Sequence, residues 1–216
     1  MDNSEDLRLL SLETLLEYEK NNSKAGELIN AVLEKYAFLP KSNRAFYARL
    51  TEGTIEKQIQ LDYIIDCYSK MPAKRMKPVI RNIIRMSVYQ IKYMRSVPDR
   101  AALSEALRLA QKKGFKNLKG FINGVLRNVI RYPEKADIEL IDDEIKYISV
   151  KYSMPEFLTS EFTCRFGRQQ AEEIFSAFET ESRTTVRLRG DKKERQKAIE
   201  TLENDNVTVE KAPFFK

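Results

Sequence analysis

The chain has no histidine, and that absence removes more chemistry than any other feature of it. Ser-His-Asp and Cys-His hydrolysis, imidazole acid–base work and most catalytic metal sites all need that side chain. There are only two cysteines, Cys67 and Cys164. Two thiols make neither a disulfide framework nor a four-ligand zinc site. Neither follows a proline and both sit among apolar residues, so both read as buried structural thiols. No glycine-rich strand-to-helix turn for a nucleotide cofactor occurs. Gly120 and Gly124 lack the Lys-Ser/Thr ending of a phosphate loop. The acidic cluster Glu139, Asp142, Asp143 and Glu144 reads as a wet helix face, not a catalytic carboxylate pair. No apolar run approaches the ~20 residues that span a bilayer. The acidic start, Met1-Asp2-Asn3-Ser4-Glu5-Asp6, is unlike a secretory or transit signal. A cytoplasmic protein without a membrane partner is expected.

Acids are also scarce in one place. Met71–Tyr132 carries 15 Lys or Arg against Asp99 and Glu105 alone, a local net charge of +13. The flanks are acidic, −3 before this segment and −4 after it, so the overall +6 conceals one strongly positive stretch. Like charges gathered this way repel one another, and an anionic partner is the simplest reason to keep them together. A polyphosphate backbone is the leading candidate. The bland alternative is an ordinary solvated surface, but such surfaces mix signs.

With 42% apolar residues, 216 residues can build a substantial core. The pattern is helical almost throughout. Leu28, Ile29, Val32 and Leu33 form one stripe, and Pro40 breaks it with Ser42 as the expected N-cap. Phe46 and Leu50 continue into the next helix; Leu61, Ile64, Ile65 and Tyr68 mark another. Pro78 suits the first position of a helix whose buried face runs from Val79 to Ile91. Asp99 is the expected N-cap of a helix through Ala110, Gly114 its C-terminal cap, and Asn117 the cap of a helix through Val129. Residues 1–132 are thus expected to form an all-α domain. Residues 133–180 read as a helical linker: Ile138, Ile141, Ile145 and Ile148 share one helix, and two shorter ones part near Gly167. Residues 181–216 change texture. Runs at 184–189 and 206–210 read as strands around a helix at 192–202. Two strands do not make an independently stable sheet, so an incomplete α+β subdomain is expected here.

On the helix opening at Pro78, Arg81, Arg85 and Lys92 fall within about 40° of one another. Arg95, Arg100, Lys112, Lys113, Lys116, Lys119, Arg127 and Arg131 add charge from the next two helices and their connections. Tyr89, Tyr93, Phe115 and Phe121 are interleaved; Tyr93 and Phe115, near loop ends, could stack on unpaired bases, with core packing the plainer role. Gly120 and Gly124 each cost about 1 kcal/mol inside a helix. A close helix–helix approach, or a phosphate passing near the backbone, would explain them.

Three segments carry a family resemblance. Val88-Tyr89-Gln90-Ile91, Val97-Pro98-Asp99-Arg100-Ala101-Ala102-Leu103-Ser104-Glu105-Ala106 and Gly120-Phe121-Ile122-Asn123-Gly124-Val125-Leu126-Arg127-Asn128 resemble, in order and spacing, the NusB-like domain. That domain occurs as the antitermination factor NusB and as the N-terminal part of bacterial 16S rRNA cytosine-C5 methyltransferases of the RsmB, Sun or Fmu family. Further on, Tyr152-Ser153-Met154-Pro155-Glu156-Phe157-Leu158, Arg165-Phe166-Gly167 and Thr185-Val186-Arg187-Leu188-Arg189 resemble the methyltransferase's linker and the start of its next RNA-binding subdomain. The resemblance implies 16S rRNA as partner, with S-adenosylmethionine and the catalytic cysteine in a later Rossmann-like domain. It implies no cofactor, metal or catalytic residue in this stretch. It carries an RNA-contact role to Arg44, Arg85 and Arg127. Arg100 stands where the family tends to have His, and Ser104 where it has Asn. Gly53-Thr54-Ile55-Glu56 replaces Gly-Thr-Leu-Arg, and Glu56 reverses a charge.

The expected function is therefore RNA binding that targets a methyltransferase. The rival reading is a NusB-type antitermination adaptor that joins RNA to a ribosomal protein and needs no linker or tail. A self-contained enzyme is disfavoured by the missing histidines and cofactor turn.

Overall fold

A computed structural model describes residues 6–21, 24–179, 185–205 and 207–210. The chain divides into two compact units, Met1–Ala177 and Phe178–Lys216. In the first, seven helices build the main core: α1 (Leu7–Asn21), α2 (Ala25–Lys35), α3 (Lys41–Glu56), α4 (Gln58–Tyr68), α5 (Pro78–Tyr93), α6 (Asp99–Lys112) and α7 (Lys119–Arg131). Two more, α8 (Glu144–Tyr152) and α9 (Glu156–Glu179), follow. α5 is the axis of the bundle, packed by α1, α3, α4, α6 and α7. Every residue from Asn82 to Gln90 is buried, so α5 has no wet face along that stretch. Its apolar side chains Ile80, Ile83, Ile84 and Val88 join Leu12, Leu50, Ile65, Leu109, Ile122 and Leu126 in one core.

Local chemistry sets most of the boundaries. Pro78 opens α5 at its first turn, where a missing N–H costs nothing. Gly114 has φ +83, and the Phe115 N–H bonds the Ala110 carbonyl at 2.8 Å, closing α6 with a Schellman turn. Three expected caps are displaced. Pro40, Pro98 and Leu118 occupy the N-cap positions of α3, α6 and α7, and none makes a side-chain cap. Ser42 and Asp99 fall inside the first turn, and Asn117 belongs to a 3-10 turn. Such shifts of one or two residues are ordinary where a preceding residue fixes the chain direction.

α1 shows little amphipathic pattern in sequence. Its buried face mixes Leu12 and Leu15 with Ser11 and Thr14. Thr14 is satisfied internally, bonding the Leu10 carbonyl at 3.0 Å and the Tyr47 hydroxyl at 2.9 Å. Ser11 Oγ finds no partner among the described residues, yet both residues are buried, and polar residues in a core erase the periodicity on which helix recognition depends.

The expected helix through Ile138, Ile141, Ile145 and Ile148 is interrupted. Ile138–Leu140 forms a 3-10 turn, and α8 begins only at Glu144. Two carboxylates cause this. Asp137 accepts from the Glu139 N–H at 3.1 Å, and Asp143 accepts from the Lys146 N–H at 2.7 Å. Asp143 is therefore a helix cap, and like Glu139, Asp142 and Glu144 it stays exposed to solvent. Ile148, Ala171 and Phe175 form a second small core, and α8 packs on α4, where the Ile59 N–H bonds Ser153 Oγ at 3.0 Å. α9 breaks at Gly167 (φ 77, ψ 163), where two helices were expected to part. Cys67 is half-buried; Cys164 is exposed, because its position on α9 faces away from the small core.

The second unit carries α10 (Lys192–Asn204), opened by a capping box between Asp191 and Glu194. Residues 185–189 and 207–210, expected as strands, have no regular structure, and no strand occurs among the described residues. A strand exists only by pairing with a neighbour, and neither run has one among the described residues. Thr184 and Asn206, at the start of those runs, lie outside the described residues.

Glycine marks a close approach in α3, not in α7. A Cβ at Gly53 would overlap the Tyr89 ring, whereas one at Gly120 or Gly124 would meet nothing within 4 Å. Gly53→Ala is expected to destabilise by about 1–3 kcal/mol through overpacking. Gly124→Ala is expected to stabilise by about 1 kcal/mol through helix propensity. Urea unfolding of both variants reads the contrast; the same sign for both would contradict the packing described.

Candidate nucleic-acid interface

The basic segment folds into α5, α6, α7 and their connections, and neighbouring helices decide which cations reach solvent. Arg85 does not. It is 4% exposed, with Nε and Nη2 each 2.6 Å from the two oxygens of Asp62 on α4 and Nη1 2.6 Å from Glu19 on α1. Arg81 holds the other Glu19 oxygen at 2.7 Å. The expected stripe of Arg81, Arg85 and Lys92 beside the apolar face therefore fails at its first two members. On a helix packed from every side, a side chain pointing off the apolar stripe still meets a neighbouring helix, and here both neighbours bring a carboxylate. The RNA-contact role expected for Arg85 is corrected accordingly: it ties α1, α4 and α5 together.

A second group is partly neutralised from α1. Arg108 pairs with Asp6 at 2.8 Å and Glu105 at 2.6 Å. Lys112 lies 3.5 Å from Asp6, and Lys113 lies 2.8 Å from Glu13. Burial acts to raise the Asp6 pKa, but hydrogen bonds from Arg108 and the Leu9 N–H, with the charges of Arg108 and Lys112, hold it below the ordinary carboxylate value. Exposed pairs of this kind are weak and salt-sensitive, so Lys112 and Lys113 remain at the surface as half-engaged cations.

The remaining cations close no ion pair with a carboxylate among the described residues. Lys92, Arg95, Arg100, Lys116, Arg127 and Arg131 are exposed, and Lys119 bonds only Gln111, at 3.0 Å. Lys74, Arg75 and Lys77 join them, as does Arg49 from α3. None of those four was singled out in sequence. Lys74, Arg75 and Lys77 were signalled by the net charge of the segment; Arg49 was hidden in an acidic flank. Arg44 is half-buried, and its Nε makes no hydrogen bond.

The antiparallel run of α5, α6 and α7 sorts these charges to two ends. The α5 start and the α6–α7 connection gather Lys77, Lys112, Lys113, Lys116 and Lys119 at one end, with the Lys77 ammonium 5.3 Å from the Phe115 ring centre. The α5–α6 connection and the end of α7 gather Lys92, Arg95, Arg100 and Arg131 at the other, with Arg127 one turn inside. Lys92 and Pro133, which follows α7, border the same cavity. A sixteen-residue α5 separates the ends by roughly 24 Å. The basic segment is thus divided between two poles. Tyr93 stands at the second pole, its hydroxyl donating to Gln60 Oε1. Gly120 and Gly124 leave the α7 backbone open between them.

The chain resembles known proteins in four respects. The model of the NusB family matches residues 5–131. Over 205 residues the chain is 30% identical to the probable ribosomal RNA small subunit methyltransferase B of Bacillus subtilis, covering 95% of this chain and 45% of that protein. It is 38% identical over 96 residues to the transcription antitermination protein NusB of Bacillus velezensis, covering 44% of this chain and 70% of that protein. A crystal structure of antitermination factors NusB and NusE in complex with dsRNA shares the fold, with a TM-score of 0.52 at 21% identity over 57% of this chain and 92% of that one. The chain spans less than half the length of the methyltransferase it matches. Among the described residues no helix is long and apolar enough to cross a membrane.

Proposed function

The chain belongs to the NusB family, and from that premise we propose that it is an RNA-binding module that targets a small-subunit rRNA cytosine-C5 methyltransferase in the cytoplasm. The observation that carries this reading is the set of exposed cations at the two poles of α5–α7 that no carboxylate among the described residues neutralises. Phosphate contacts from such poles fix position and register; sequence selectivity has to come from loop shape and stacking. The match to a methyltransferase along 95% of the chain, where the NusB model stops at residue 131, favours the targeting role. The division at Tyr132 into an RNA-binding domain and a linker belongs to the same reading. On this reading S-adenosylmethionine, the methyl donor, belongs to a later domain of the methyltransferase. No step of methyl transfer is derived from these helices.

Salt dependence tests the proposal. Binding of a 16S rRNA hairpin loop, followed by fluorescence anisotropy from 50 to 300 mM KCl, is expected to weaken with a log–log slope of about 3, since four to five neutralised phosphates contribute ~0.7 each on single strands. A flat dependence would sink it. The NusB-type adaptor reading predicts instead that RNA is held only together with a ribosomal protein. Affinity that appears only when that protein is added would favour the adaptor.

A further inference from the structure

We propose that the cavity of about 360 Å³ bordered by Arg49, Tyr93, Met94, Arg95 and Ser96 is a phosphate-binding subsite that holds one phosphodiester of single-stranded RNA. The inference rests on the RNA reading above and names a place where one nucleotide is gripped.

The site is assembled by packing. α3 lies against α5 because Gly53 lets the Tyr89 ring approach its backbone. Arg49, one turn before Gly53, is thereby carried to the C-terminal end of α5, where the chain leaves the helix through Met94, Arg95 and Ser96. Two arginines from separate elements border one cavity, and neither closes an ion pair with a carboxylate among the described residues. Glu52 and Glu56 on α3 lie near enough to act with Arg49 on Tyr89 but close no ion pair with it among the described residues, and two cations left at one cavity repel each other until an anion stands between them. The carbonyl end of α5 opposes an anion with about half an elementary charge, well short of two full positive charges. Guanidinium forks suit phosphate oxygens better than a point charge does. The volume suits a nucleotide and excludes little of it. Tyr93 also borders the adjoining cavity of about 350 Å³, together with Gln60, Ile64 and Lys92. Its ring is the natural wall for a base or sugar attached to the gripped phosphate.

Arg49→Gln, Arg95→Gln and the double variant separate this subsite from the general field of the protein. Both residues are exposed, so circular dichroism should show all three variants folded. With a single-stranded RNA probe, each single change is expected to weaken binding about tenfold, as for a lost hydrogen bond to a charged group. Because both side chains hold one phosphate, the double variant should lose distinctly less than the hundredfold product. The salt slope should fall by ~0.7, one phosphate's share. Unchanged binding, or losses that multiply independently, overturns the subsite while leaving the RNA reading in place. If the unsubstituted chain binds no RNA, inorganic phosphate is titrated and the amide signals of Met94–Ser96 are followed by NMR. Shifts that vanish in the double variant keep the subsite as one for free phosphate and discard RNA; no shifts discard both.

Discussion

Arg85→Gln is expected to lower the unfolding free energy of the first unit by about 3–5 kcal/mol, the usual cost of removing one partner from a buried ion pair. The cause is visible in the geometry. Asp62 receives two hydrogen bonds from Arg85, and Glu19 receives one from it and two from Arg81. Glutamine at that position leaves both carboxylates half-buried with too few donors. Arg85→Lys keeps the charge but loses the fork, and should fall between the two. The decisive comparison is Glu19→Gln/Asp62→Asn/Arg85→Met, which removes the buried guanidinium together with both of its carboxylates and leaves the more exposed Arg81 in place. Replacing an entire buried network costs far less than breaking it, so most of the stability should return. Urea unfolding reads all three, with an unchanged m-value as the check that the folded state is intact. RNA affinity of the triple variant should stay close to that of the unsubstituted chain, because Arg85 never reaches solvent. An Arg85→Gln variant of ordinary stability with lost RNA affinity would reinstate the contact role and remove the clamp.

That outcome bears on what a sequence can show. Helices α2 to α7 were legible because apolar stripes, Pro78 and Gly114 each act within a few residues. Gly167 was legible for the same reason: a left-handed backbone position between two stripes names itself. Arg85 was misplaced because its partners are remote, Glu19 on α1 and Asp62 on α4. Nothing local distinguishes it from Lys92, which lies on the same side of α5 and is exposed. The same limit hid α1, whose core face carries Ser11 and Thr14, polar residues that tertiary packing buries. It also merged Ile138 with Ile148, since isoleucine spacing outweighed the two aspartates that start new turns. For the interface, total charge was readable and its distribution was not. Antiparallel packing splits one basic stretch of chain into two poles, and it recruits Arg49 from an acidic flank.

Phe175→Ala is expected to open α8 and α9 without unfolding the seven-helix core. Phe175 is 1% exposed, and its ring meets Phe162 at 5.3 Å and Tyr152 at 6.1 Å between centres. Truncating such a ring costs about 3–5 kcal/mol where the surroundings cannot collapse. Among the described residues the small core around it has Ile148 and Ala171 as its other fully buried members, so without the ring α9 is held on α8 chiefly by the Lys151–Glu172 pair at 2.7 Å, a surface contact worth little. The main core does not include Phe175, so α5 should keep its protection. Hydrogen exchange separates the two: amides of α8 and α9 should lose about two to three decades of protection, bounded by their own local stability, while those of α5 stay unchanged. The division near Tyr132 then has physical content, because the connector opens as its own cooperative unit on a bundle that remains folded. Loss of protection in α5 in step with α9 would instead make residues 6–177 one cooperative body, and the connector could not be treated as separate from the helices that carry the basic poles.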